Sequence, residues 1–114
     1  MSHNWSQNDL LTKPQEFAIS TTEEMQYSWD VSALLGVGES PSAPVVRVDR
    51  MTSKDSGIPV LPDPVLSTSL VGDIVIAKID GSKLKQDNLY RVVVTVEIEP
   101  DRKQSCMTML KCVA

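Results

Sequence analysis

The sequence predicts an all-β chain: a two-sheet sandwich of about seven short strands, with an extended N-terminal arm. Three observations carry this. Tyr90, Val92, Val94, Val96 and Ile98 alternate with Arg91, Val93, Thr95, Glu97 and Glu99, the period of a strand with one face in a core and one toward water. Met25, Tyr27, Trp29 and Val31 alternate in the same way with Gln26, Ser28, Asp30 and Ser32. The remaining apolar runs are short and separated by Gly, Pro, Asp and Ser clusters, with almost no helical periodicity and no repeat.

The stretch before Tyr90 narrows the class. Leu84 lies six residues before Tyr90, across a polar turn. That spacing suits the corner of an immunoglobulin-like sandwich. There a Leu plugs the core where the chain crosses between sheets, and the Tyr hydroxyl bonds back to the upstream backbone. A Tyr that simply opens an amphipathic strand would show the same alternation, so the corner holds only if the domain is a sandwich.

Taken in order, residues 1–23 form a polar arm with apolar anchors at irregular spacing: Trp5, Leu10, Leu11, Phe17 and Ile19. The segment is too short and too mixed to make a core of its own. It reads as an arm lying on a neighbouring chain, and the domain proper as 24–114. The first strand follows, over 24–32, with Trp29 as a central core residue whose indole N–H needs a partner. Ala33-Leu34-Leu35 makes one capping turn and 36–40 a second turn.

Pro41 and Pro44 bar a helix start. Val45, Val46, Val48 and Met51 then mark a strand, with Arg47, Asp49 and Arg50 outward. Residues 52–64 carry three prolines around Ile58, Val60 and Leu61, which predicts a loop or an interrupted edge strand, since proline cannot donate to a ladder. Loops of this length are often ordered by a partner, so Ile58, Val60 and Leu61 join the arm anchors as interface candidates.

Residues 65–70 suit a short edge strand. Asp73 to Ile79 is apolar on both faces, as in a central strand or one whose outer face meets a partner. Asp80-Gly81 turns the chain into the Leu84 corner. After Ile98 a charged hairpin over 99–104 leads to the last strand. There Cys106, Thr108, Leu110 and Cys112 are expected inward, because Lys111 on the other face is costly to bury.

Length and composition set bounds. The chain has 114 residues, enough for one domain and a modest core. Its net charge of −4 gives no basic footprint, which disfavours nucleic acid. No apolar run approaches bilayer length, and no N-terminal stretch has the form of a signal peptide. Cys106 and Cys112 are six apart in one strand, ~20 Å when extended, and a disulfide needs Cα atoms within about 7 Å. They read as free thiols of a reducing compartment.

Chemistry is sparse. The single histidine, His3, is far along the chain from both cysteines, which leaves a metal without ligands. There is no Gly-rich phosphate loop, nucleophile elbow or Cys-His pair. Glu97 and Glu99 share a solvent face of one strand and have no sign of the cleft that a glycosidase pair needs. The expectation is a protein that binds other proteins, with no catalytic residue, cofactor or metal.

One resemblance sharpens that expectation. Tyr27-Ser28-Trp29-Asp30-Val31-Ser32, then Leu34-Leu35, then Gly38-Glu39-Ser40, resembles the opening of the fiber-tail adaptors of tailed bacteriophages. That pattern runs Tyr, Asp-Trp-Ser, an apolar residue or two, then Gly-Asp/Glu-Ser/Thr. The order of the later elements is also similar: a middle strand with a Gly-containing turn (Ile74 to Gly81), Tyr90-x-Val92-x-Val94, a charged hairpin and a closing apolar strand. The likeness spans about 24–114 and leaves the arm outside. It departs at Val31, where the family has Trp, and at Asp80-Gly81, where the family has Gly-Gly.

The resemblance implies a virion structural protein made in the host cytoplasm. It would be present in several symmetry-related copies and would join fibres or neck components to the tail or head-tail junction, without cofactor or catalysis. A capsid decoration or cement protein is the alternative within the same class. An extracellular adhesion or carbohydrate-binding sandwich is the alternative from another, and the absent signal peptide and the cysteine geometry count against it.

Overall fold

The structure, a computed structural model, describes residues 2–5, 16–53, 56–99 and 102–113, with side chains for 18–53, 56–98 and 102–113. Among the described residues there are nine strands: β1 (Ser2–Trp5), β2 (Glu16–Ser20), β3 (Glu24–Asp30), β4 (Ser42–Met51), β5 (Gly57–Pro59), β6 (Val65–Val71), β7 (Ile74–Asp80), β8 (Leu89–Glu99) and β9 (Arg102–Val113). One sheet has the order β1-β3-β7-β6, the other β2-β9-β8-β4-β5. The protein is a β-sandwich. Single 3₁₀ turns at Ser32–Leu34 and Gly81–Lys83 are the only helical pieces among the described residues.

The core is made by alternation. Met25, Tyr27 and Trp29 from β3, Val75, Ala77 and Ile79 from β7, and Val92, Val94, Val96 and Ile98 from β8 are all buried. They meet Val46, Val48, Leu110 and Cys112 from the β4 and β9 strands beside β8. Most inward positions are β-branched or aromatic, which suits a pleated, half-buried surface. Trp29 is fully buried, and its indole N–H donates to Thr108 Oγ1 at 3.3 Å. The inward set of β9 is the expected one: Thr108, Leu110 and Cys112 are buried and Cys106 half-buried, while Lys111 is exposed.

The seven strands read from the sequence correspond to β3–β9. β5 and β6 are edges; β5 is three residues long and carries Pro59, which cannot donate to a ladder. β7 is central in its sheet; Val75, Ala77 and Ile79 face the core, while Ile74 on the outer face is 41 % exposed.

The arm expectation is corrected by the structure. β1 pairs in parallel with β3, Trp5 opposite Trp29, and β2 pairs in parallel with β9, Ile19 opposite Cys112. Residues 2–5 and 16–20 are thus strands of the sandwich itself, and a boundary at 23/24 does not separate them from it. Ile19 is 0 % exposed, a core residue of its own domain, and cannot be an interface anchor. The physical reason is a flank that an inventory of irregular apolar residues hides. Ser20 N–H donates to Glu23 Oε1 at 2.7 Å, and Glu23 N–H to Ser20 O at 3.2 Å. That tight turn carries the chain from β2 in one sheet to β3 in the other.

Gly81 makes this crossing possible. Its N–H donates to Glu23 O at 2.9 Å, and a Cβ there would sit 2.0 Å from Ser20 O.

A second correction concerns β4. Arg47 is exposed as expected, but Asp49 is 1 % exposed. It lies beneath Arg47 and Arg91, with Gly57 of β5 against its Cβ.

Candidate functional site

The site begins with a glycine and a proline. Gly57 opens β5, and a Cβ at this position would meet Asp49 Cβ at 3.0 Å and Arg91 Nη2 at 3.2 Å. A side chain there would press on both neighbours, so glycine suits the close approach of β5 to β4. Pro59 follows opposite Asp49, and Val60 N–H then donates to Val48 O at 3.0 Å. The segment from Ile58 to Val60 is thereby pinned to the sheet edge, and Leu61 follows directly, with Ile58 52 % and Leu61 84 % exposed.

The opposite wall comes from the Leu84 corner. Asp80 Oδ1 accepts from the Ser82 N–H at 3.0 Å and from the Ser82 hydroxyl at 2.7 Å, capping the Gly81–Lys83 turn. These bonds, first of all the one from the Ser82 hydroxyl, hold the Asp80 carboxyl below the usual carboxylate range. Leu84 then enters the core, 5 % exposed, so the residues flanking it, Lys83 and Lys85, are left exposed. Lys85 N–H donates to the Tyr90 hydroxyl at 2.8 Å, which fixes where Lys85 leaves the surface.

Between these walls lies a cleft of about 620 Å³, lined also by Tyr90, Asn88 and Arg50. Arg50 has the parity of Val46 and Val48, one step past the point where the core ends. It is exposed, as the sequence reading expects, and lines the cleft mouth. Three cationic side chains, Arg50, Lys83 and Lys85, and three apolar ones, Ile58, Val60 and Leu61, face one volume. Among the described residues no carboxylate lies within ion-pair distance of any of the three cations; Lys83 Nζ is 3.4 Å from the Asp63 carbonyl.

A buried carboxylate lies beside the cleft and is paired with two arginines. Asp49 accepts from Arg47 Nε at 2.8 Å and from Arg91 Nη2 at 3.0 Å. Burial raises its proton affinity, but the hydrogen bonds from Arg47 and Arg91 outweigh that and hold its carboxyl below the ordinary range. Such a group is an anchor for β4, β5 and β8, not a proton donor near neutral pH. A smaller apolar depression of about 400 Å³ opens elsewhere, between Met51, Leu89 and Met109.

The candidates read from the sequence divide three ways. Ile58, Val60 and Leu61 are brought together in the cleft. Ile19 is in the core. Leu10 and Leu11, and the side chains of Trp5 and Phe17, lie outside the described residues. The residues missed were Arg50, Lys83, Lys85 and Asn88. Two of them had a local signal: Lys83 and Lys85 flank a Leu that must turn inward, which forces both charges out along one rim.

Among the described residues no group of three or more His, Cys, Asp or Glu could hold a metal ion, and no helix is long and apolar enough to cross a membrane. Comparisons with protein-family models and with curated proteins found no match.

Proposed function

We propose that this chain is a protein-binding structural module of a tailed-phage virion, an adaptor that joins fibre or neck components to the tail or head-tail junction. The observation that carries the binding part is the Ile58 to Leu61 wall. Ile58 and Leu61 are held over half exposed on a backbone that proline and edge pairing have already stiffened, so little ordering entropy opposes their burial by a partner. The virion part rests on the Tyr27 to Ser40 resemblance.

Strand order supports an immunoglobulin-like reading of the sandwich. β3-β7-β6 and β9-β8-β4 follow one another as the B-E-D and G-F-C strands do in that architecture. The parallel pairing of β1 with β3 departs from it.

Incorporation is the test. Antibodies to the chain should label the tail or neck of particles from the source. Protein carrying Ile58→Ser and Leu61→Ser should melt as the parent does, yet fail to enter particles. Label over the capsid surface would favour a decoration protein, and its absence from every particle fraction would overturn the virion assignment.

A further inference from the structure

We infer that the cleft between β5 and the Leu84 corner is a docking site for an extended acidic segment of a partner protein, one that carries an apolar side chain among its carboxylates. This deepens the reading of the chain as a binding module and rests on it, but does not depend on virion location.

The distribution of charge leads to this occupant. The described residues include nine Lys and Arg side chains. Arg47 and Arg91 pair with Asp49, Lys78 with Glu24, Arg102 with Glu39 and Lys103 with Glu97. Four form no ion pair with a described carboxylate, although Asp80 attracts Lys83 from beyond ion-pair distance, and three of those four, Arg50, Lys83 and Lys85, line this one cleft. Lys111 is the fourth. On a chain of net charge −4, an acidic ligand is repelled by the whole and attracted here, so the local excess also sets the orientation of approach.

Geometry supplies the rest. Lys83 and Lys85 flank Leu84 on one rim, and alternate side chains of an extended peptide present their carboxylates to one side. The intervening side chains would meet the Ile58 and Leu61 wall. The rim is held before binding: the Asp80 cap positions Lys83, and the Tyr90 hydroxyl positions Lys85. A preset rim lowers the entropy lost on docking. A nucleic-acid strand fits less well, because the described aromatic rings, Tyr27, Trp29 and Tyr90, are buried and offer no stacking platform.

The probe is a capped peptide of alternating glutamate and leucine, about eight residues or ~27 Å when extended, titrated into the ¹⁵N-labelled full chain. A glutamine-leucine analogue, an oligothymidylate and dilution of the protein alone serve as controls. The expected result is saturable binding with shifts confined to the cleft, weakened strongly near 1 M salt, where screening acts within ~3 Å. The triple substitution Arg50→Gln, Lys83→Gln, Lys85→Gln should weaken it about tenfold or more, since each rim ion pair contributes a few-fold. Ile58→Ser with Leu61→Ser should weaken it with the salt dependence kept.

Equal binding of the glutamine-leucine peptide overturns the proposal. So does tighter binding of the oligothymidylate, a shift pattern on another face, no binding at millimolar peptide, or cleft shifts that vanish on dilution and so report a second copy. Peptide binding by a chain that proves absent from particles would keep this inference and remove only the virion assignment.

Discussion

The Tyr90 hydroxyl accepts the backbone N–H of Lys85 at 2.8 Å, one residue past Leu84, which is buried in the core. It satisfies a donor that the crossing between sheets would otherwise leave without a strand partner. Tyr90→Phe should cost about 0.5–1.5 kcal/mol, and Leu84→Ala roughly 2–5 kcal/mol, both measured by denaturant unfolding. A Leu84→Ala loss below about 0.5 kcal/mol, the size of a surface substitution, would be incompatible with a core plug.

Asp49 makes acid stability predictable in sign. Its carboxyl is held low in the folded chain, so protons bind the unfolded chain more readily. Its contribution is therefore complete above the unfolded value of about 4 and is lost as pH falls through the lower folded value. Asp49→Asn should destabilise the protein by about 1.5–3 kcal/mol at neutral pH, as for a lost bond to a charged group, and should flatten the fall in melting temperature on the acid side. An unchanged acid limb in the variant would place that dependence on other carboxylates.

Gly81→Ala should be among the most damaging single-atom changes. The added Cβ would meet backbone, not a movable side-chain end, at 2.0 Å from Ser20 O. The β2–β3 turn or the Gly81–Lys83 turn must shift, at a cost of at least ~1–3 kcal/mol. Gly38→Ala tests a different cause. There the cost arises from φ of +78° with open space around it, about 1 kcal/mol. Denaturant unfolding of the two variants should rank Gly81→Ala as the larger loss.

Ile19→Ala should cost roughly 2–5 kcal/mol, because Ile19 is fully buried where β2 pairs with β9, opposite Cys112. Native-state hydrogen exchange should show protected amides in 16–20 of the isolated protein. Rapid exchange there, with an unaltered Ile19→Ala variant, would restore the picture of an arm that folds only on a partner.

Cys106 and Cys112 are free and share the inner face of β9. Burial pushes the Cys106 thiol up to about 11, and burial with the nearby Asp87 raises that of Cys112. Thiolate is the reactive form, so alkylation near pH ~8, about half a unit below the free-thiol value, should be slow in the native protein and fast in denaturant. Intact mass without reductant should match two thiols; a loss of two hydrogens, restored by reduction, would contradict the strand geometry.

The sequence by itself determined the class and most of the inward faces. Alternation of period two is a local property, and burying one side of each strand is the only way to remove Tyr27, Trp29, Val92 and Val94 from water. Proline and short length likewise marked β5 as an edge. Only the tertiary structure decided what lies beside what. Ile19 shares with Phe17 an alternation too short to set a face, and is core because β9 runs alongside it. Asp49 reads as an outward polar residue and is buried because Arg91 and Gly57, distant in the chain, close over it. The cleft is decided at the same level. Arg50 and Lys83 are 33 positions apart, and no pattern within either segment reports that the other's charge shares its volume.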